Sequence, residues 1–283
     1  MSRVWKERWI NFGLYISYVL ITLFFMFPIF WIISMSFKTV PELFAIPPKL
    51  LPSKFMTLNY SFVLENTDIL QSLKNSAQIV ILTCIFTLLI AIPAAYGLSR
   101  FKFRLKQASL MSILVCQMIS PVVIGVPLYR LFVQLGLFNN YVCLIAVYVA
   151  VELPFITWFL KGYLDAIPED LDEAAIVDGC TKLQILSKII FPVIIPGIAS
   201  ASILVLVQSW SQFVIPLILL DKSELFPVSV ALVHLMATTE GSSTITIHFL
   251  AAASVLAIIP VMVVFIVLQR FIVGALTAGA VKG

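Results

Sequence analysis

"IHFLAAASVLAIIPVMVVFIVLQ", residues 247–269, runs its whole length without an Asp, Glu, Lys or Arg. An α-helix needs about 20 consecutive apolar residues to cross the hydrocarbon core of a bilayer, so this stretch reads as a transmembrane helix. Five more stretches of the same kind precede it, at about 11–36, 75–98, 109–134, 141–160 and 196–220. The 283-residue chain is 61% hydrophobic and only 11% charged, whereas a soluble domain carries about 25% charged residues. Strands of an outer-membrane barrel are excluded, because each would be about 9–11 residues of alternating polarity. The expected fold is all-α, a polytopic membrane protein with six transmembrane helices in a single transmembrane domain over residues 1–283.

Orientation follows from the basic residues, since Lys- and Arg-rich loops stay in the cytoplasm. One side holds Arg3, Lys6, Arg8, Arg100, Lys102, Arg104, Lys106, Lys161, Lys182, Lys188, Arg270 and Lys282. The other holds half as many: Lys38, Lys49, Lys54, Lys74, Arg130 and Lys222. Both termini are therefore expected in the cytoplasm, with residues 270–283 as a cytoplasmic tail. The first span follows a basic start, but it is too long for a signal peptide and no A-x-A-like cleavage site follows, so it is expected to be retained. This asymmetry accounts for the net charge of +4 and gives no reason to propose a nucleic-acid partner.

The chain carries no G-x-x-x-x-G-K-[ST], H-E-x-x-H or G-x-S-x-G pattern, and no interruption between spans is large enough for a soluble catalytic domain. No catalytic residue and no cofactor of its own are expected, so energy for any coupled process must come from a partner. Cys84, Cys116, Cys143 and Cys180 form no C-x-x-C pair, and neither a zinc site nor a disulfide framework is indicated. His234 and His248 stand apart, and no metal site is expected. A membrane-embedded enzyme acting on lipids would need nucleophile, base or metal ligands gathered near an interface, which these histidines do not supply. Asn59-Tyr60-Ser61 matches the short N-x-S acceptor pattern, in the proline-rich loop 38–71.

Acidic residues gather in one place, the stretch "DEAAIVDGCTKLQILSKIIFPVIIPG", residues 172–197. Pro168 suits a first helical position, and Glu169, Asp170, Asp172 and Glu173 then complement the positive helix end. Gly179 suits the left-handed residue that ends a helix, and Thr181 with Gln184 fits a capping box that starts another. Leu171, Ala174, Ala175 and Asp178 fall at helical spacing and are expected to share one small face. Leu183, Leu186, Ile189 and Ile190 follow at helical spacing, and Pro192 and Pro196 are expected to turn the chain from a surface helix into the fifth span. A solvated loop would explain the charges alone. It would not explain the small face or the paired caps, which suit a rigid knob on which a cytoplasmic motor could act.

These residues carry a family resemblance. The segment resembles the EAA motif of ABC importer permeases, E-A-A-x3-G-x9-I-x-L-P, matched by Glu173, Ala174, Ala175, Gly179, Ile189 and Pro192, with Phe191 where leucine is usual. "SFKTVPELF", "AAYGLSRFKF", "VPLYRLFVQLGL" and "QRFIVGALTAGAVKG" are similar to the carbohydrate-importing branch, the permeases like the second membrane subunit of the maltose system, over nearly the whole chain. The resemblance implies a cytoplasmic coupling helix within residues 165–191, between spans four and five. It implies pairing with a homologous permease subunit, docking on two ATP-binding subunits that bind ATP and Mg, and delivery of a carbohydrate by an extracytoplasmic solute-binding protein at a bacterial-type cell membrane. Leu171, Glu173, Ala174, Ala175, Asp178 and Gly179 become the ATPase-coupling candidates. The tail from Gly274 to Gly283 becomes a second ATPase contact. The loop tip Glu240, Gly241, Ser242 and Ser243 lies where a relative's external loop enters the binding protein.

A sugar path needs side chains that hydrogen-bond hydroxyl groups. Glu152 lies about 11 residues into the fourth span, roughly 16 Å deep, and an ionisable group near the midplane is a functional candidate. The alternative is a protonated or paired glutamate that stabilises the bend at Pro154. Gln208, Ser211 and Gln212 share one face of the fifth span at similar depth, with Gln117 on the third as a weaker candidate. Each could instead bond one helix to another. Where the family usually shows Trp-Asn-(Asp/Glu)-Phe, this chain has Trp210-Ser211-Gln212-Phe213. Importers of other solutes remain open: Glu152 would suit a polyamine, whereas a phosphorylated compound would favour a midplane Arg or Lys, and there is none.

Overall fold

The computed structural model describes residues 3–238 and 246–280, and every regular element among them is helical. The first half comprises α1 (Arg3–Ser36), α2 (Val40–Leu43), α3 (Leu58–Asn66), α4 (Ile69–Arg100), α5 (Lys106–Gln117) and α6 (Pro121–Gln134). The second comprises α7 (Tyr141–Asp165), α8 (Asp170–Val177), α9 (Lys182–Gln184), a π-helical turn (Ile185–Ile190), α10 (Phe191–Ser211), α11 (Val214–Leu219), α12 (Val228–Thr238) and α13 (Thr246–Ala280). Among the described residues five helices are long and apolar enough to cross a membrane, six if the α5–α6 pair counts as one broken span.

Two of the six expected spans are built differently. The third, expected as one helix over 109–134, is bent by 90° between α5 and α6. Ser120 is extended (ψ 134°), and its side chain accepts from the Val122 N–H. Pro121, next in sequence, disfavours the helical conformation for the residue before it. A serine cap followed by proline at the first helical position starts a new helix there.

The fifth span was expected to begin after a turn at Pro192 and Pro196. The chain does not turn there: residues Lys182–Ser211 form one continuous helical run. The reason is the π turn, in which the Phe191 N–H reaches back to Leu186 O, five residues away. Such a widened turn is one of the ways a helix accommodates an interruption of its regular bonding, and Pro192, which has no N–H, comes directly after it. The run stops early, at Gln212, whose ψ of 124° is extended, and α11 resumes from Val214.

The chain divides into two compact units, Met1–Ile69 with Leu232–Ile258, and Leu70–Ala231 with Ile259–Gly283. In the first, α1 from Asn11 to Ser36 has none of its apolar window buried within the chain, as for a helix that faces lipid or another subunit. Lys38 closes that unit's loop: its ammonium donates to Lys49 O and lies 4.5 Å from the Trp31 ring centroid. Asn59 is buried and donates to Ser36 O and Lys38 O, so the Asn59-Tyr60-Ser61 match is structural.

The second unit holds two buried clusters. One joins α4, α7, α8, the π turn and α10 through Ala91, Tyr96, Leu160, Ala175, Ile185 and Ile194. The other gathers Ile79, Leu144, Tyr148, Ile215, Leu219 and Val230. Polar ties finish this second packing, with Asn75 Nδ2 donating to Glu224 O and Phe226 O and the Val228 N–H donating to Ser76 Oγ.

Candidate functional site

The acidic stretch forms a two-helix elbow. Helix α8 starts at Asp170, with Asp170, Asp172 and Glu173 in its first turn, where carboxylates offset the exposed N–H groups and the helix dipole. It ends in a Schellman motif: the Cys180 N–H donates to Ala175 O and the Gly179 N–H to Ile176 O, each at 3.0 Å. Gly179 has φ +82°, a region open to glycine without steric cost. The capping box then forms in full, with Thr181 N–H to Gln184 Oε1 at 2.8 Å and Gln184 N–H to Thr181 Oγ1 at 3.4 Å.

The four residues expected to share one face separate. Leu171, Ala174 and Asp178 are exposed, whereas Ala175 is turned inward at 3% exposure, in the cluster with Ile185. Facing inward with it, three residues earlier, is Asp172. The reason is packing: α8 lies on the π turn and its neighbours, so the i, i+3 pair Asp172 and Ala175 becomes its inner face. The exposed side carries Glu173 and Gly179 and an apolar edge absent from the sequence reading, Ile176 at 47% and Val177 at 87% exposure, joined by Leu183 just past the elbow.

Asp172 had only a helix-dipole role in the sequence reading, and it is the best-connected polar residue of the elbow. The Tyr96 hydroxyl donates to its Oδ1 at 2.7 Å and Arg100 Nε to its Oδ2 at 2.9 Å, while the other end of the Arg100 fork donates to Ile167 O at 3.0 Å. The sequence signal was present: Tyr96 and Arg100, four apart, lie on one face at the basic end of α4. Nothing in the sequence said which carboxylate they would meet.

The polar stripe does not gather around Glu152. Glu152 is 2% exposed, and its Oε1 accepts from Ser209 at 2.5 Å while Oε2 has no partner. Ser209 was not among the expected residues. Gln208 and Ser211 lie exposed on another side of α10, Gln212 is half-buried, and the Ser211 hydroxyl bonds back to Val207 O and Gln208 O. Consecutive helical positions lie about 100° apart, so burying Ser209 against α7 carries Gln208 round the helix. Gln117 is exposed and donates to Val151 O at 3.3 Å. The only oxygen contact linking α10 to Glu152 is thus from Ser209, among the described residues.

A groove lined by residues such as Val80, Ile81, Val207, Trp210, Val264 and Phe265 presents no polar surface and offers a sugar hydroxyl no partner. The tip Glu240, Gly241, Ser242 and Ser243 lies outside the described residues. Of the expected tail, α13 continues unbroken to Ala280 and residues 281–283 lie outside the description. Among the described residues no three His, Cys, Asp or Glu side chains come together as a metal site.

Comparison with known proteins agrees with this architecture. The family model described as "Binding-protein-dependent transport system inner membrane component" matches residues 87–277. The sulfoquinovosyl glycerol transport system permease protein SmoH of Agrobacterium fabrum is 32% identical, over 91% of this chain and 89% of its own. The trehalose/maltose transport system permease protein MalG of Thermococcus litoralis is 32% identical, over 95% and 96%. Among solved structures, a chain of a bacterial ABC transporter involved in import of the acidic polysaccharide alginate aligns with a TM-score of 0.77 at 23% identity, over 95% of this chain and 98% of that one.

Proposed function

The chain belongs to the family of binding-protein-dependent transport system inner membrane components, and on that premise we propose that it is a permease subunit of an ATP-driven carbohydrate importer. It is a multi-pass inner-membrane protein. As one transmembrane domain with both termini in the cytoplasm, it forms half of the path, and a homologous permease forms the other half. Two ATP-binding subunits, which hold ATP and Mg, dock on α8. An extracytoplasmic solute-binding protein delivers the sugar, meeting Glu240, Gly241, Ser242 and Ser243. The chain moves its substrate by alternating access and performs no chemistry of its own.

The observation that carries this reading is the exposed apolar edge Ile176, Val177 and Leu183 on an elbow whose turn is capped on both sides, by Gly179 at the end of α8 and by Thr181 and Gln184 at the start of α9. Apolar side chains grouped on an otherwise acidic protrusion suit a protein partner. Leu171, Glu173, Ala174 and Asp178 make contact there, while Ala175 and Gly179 set the shape. Gln117, Gln208, Ser211 and Gln212 supply hydrogen-bonding groups along the path, and Glu152 ties α7 to α10. The relatives named for sulfoquinovosyl glycerol and for trehalose and maltose support a carbohydrate substrate.

Native mass spectrometry of the tagged chain, purified from its own membranes in mild detergent, tests the reading. A core of this chain, a second permease and two ATPase copies is expected. A homo-oligomer without an ATPase would refute it.

A further inference from the structure

We propose that Asp172, Arg100 and Tyr96 are positioning residues that fasten α8 to the end of α4, so that a displacement of α8 reaches α4 directly. This rests on reading α8 as the helix on which the ATPase acts. By chain connection alone, α8 is joined to α7 through residues 166–169 and to the π turn and α10 through 178–181. A push on it would otherwise be partly absorbed in those short connections.

The geometry closes a third route. Tyr96 and Arg100 lie one helical turn apart on α4 and occupy both oxygens of Asp172. Arg100 also grips Ile167 O, in the connection that precedes α8, so a single side chain holds both the helix and its tether. Only a planar fork makes two such bonds in fixed directions; a lysine is a point charge on a flexible stem. The Arg100 and Asp172 side chains are 6% and 8% exposed, so water cannot readily replace either partner, and breaking the pair would leave an uncompensated buried charge. The neighbouring residue ties the same end of α4 to α7, the Ser99 hydroxyl donating to Asp165 Oδ1 at 2.7 Å, while Lys161, on α7 itself, lies 2.5 Å from the other oxygen of Asp165. Helix α8 and the last turn of α4 therefore move as one body.

A merely stabilising ion pair would affect yield and thermal stability and nothing else. The test is hydrogen exchange on the whole purified complex, nucleotide-free and trapped with ADP and vanadate, following peptides that cover residues 93–103 and 168–185. In the wild type, trapping is expected to change exchange in both. In Arg100→Lys and Asp172→Asn, the change at 168–185 should persist while that at 93–103 falls by about tenfold, the size of an ordinary coupling free energy. An undiminished response at 93–103 in both variants would overturn the proposal. Val177→Arg separates the two ideas, because it should abolish both responses in a folded complex by spoiling the docking edge. If Val177→Arg silences the peptides and the lock variants do not, only the lock fails. If trapping leaves 168–185 unchanged in the wild type, both readings fall.

Discussion

The Ser209 hydroxyl on α10 lies 2.5 Å from Glu152 Oε1 on α7, and the second oxygen of that carboxyl meets no partner. A polar pair closed inside the chain joins two helices, and leaving a buried group unsatisfied costs about 1–3 kcal/mol. Ser209→Ala should therefore lower the thermal stability of the purified complex by that order. Glu152→Gln keeps an acceptor for Ser209 and should be milder. Both are read from unfolding curves in detergent; equal stability of Ser209→Ala and wild type would remove the tie from the account.

Gly197 on α10 faces Tyr163 on α7 so closely that an added Cβ would lie 2.8 Å from the ring. Small residues let membrane helices approach in this way. Gly197→Ala must displace a half-buried ring and should cost about 1–3 kcal/mol, the usual penalty of overpacking. Gly162, whose Cβ would meet nothing within 4 Å, serves as the control: Gly162→Ala should be nearly silent in the same assay.

At Gly179 the constraint is conformation, since nothing lies within 4 Å of an added Cβ but φ is +82°. Gly179→Ala should cost about 1–2 kcal/mol, the strain of a left-handed L-residue. Gly179→Pro also removes the N–H that bonds Ile176 O and cannot take this φ. It should insert normally yet hydrolyse ATP without moving substrate, measured as hydrolysis against uptake in proteoliposomes. Normal uptake per ATP in that variant would be incompatible with α8 as the docking helix.

The loop after α1 should respond to acid. Glu42 is held below the usual carboxylate range by a hydrogen bond from the Ser53 side chain, then by the backbone N–H groups of Thr39 and Ser53. A carboxyl whose pKa is lowered on folding contributes stability that is present above its unfolded value, about 4.3, and is lost as pH falls through the lowered folded value. Exchange of amides in residues 38–56, corrected for intrinsic rates, should accelerate over that acidic interval in the wild type. Glu42→Gln should flatten the dependence.

The turn of the elbow was legible in the sequence, because caps are local, whereas the start of α8 was not: the helix begins at Asp170, and Pro168, expected at its first position, lies before it. Gly179 and the pair Thr181 and Gln184 act on backbone groups within a few positions, so their types and spacing suffice. Gln208 and Ser211 do share an exposed side of α10, but that side does not meet Glu152, and Gln212 lies past the end of the helix in extended backbone. Periodicity gives the relative angles of side chains around an axis and says nothing of which angle faces a neighbour.

The sequence by itself determined that the chain is all-helical and lies in a membrane, because an unbroken apolar run of this length has no other way to satisfy its backbone. It also determined the family, through the spacing of Glu173, Ala174, Ala175 and Gly179. Tertiary structure alone decided that Asp172 answers to Tyr96 and Arg100, that Ser209 answers to Glu152, and that Ala175 faces inward. These pairings join residues far apart in the chain, and their geometry depends on how helices rotate and pack, which no local spacing encodes.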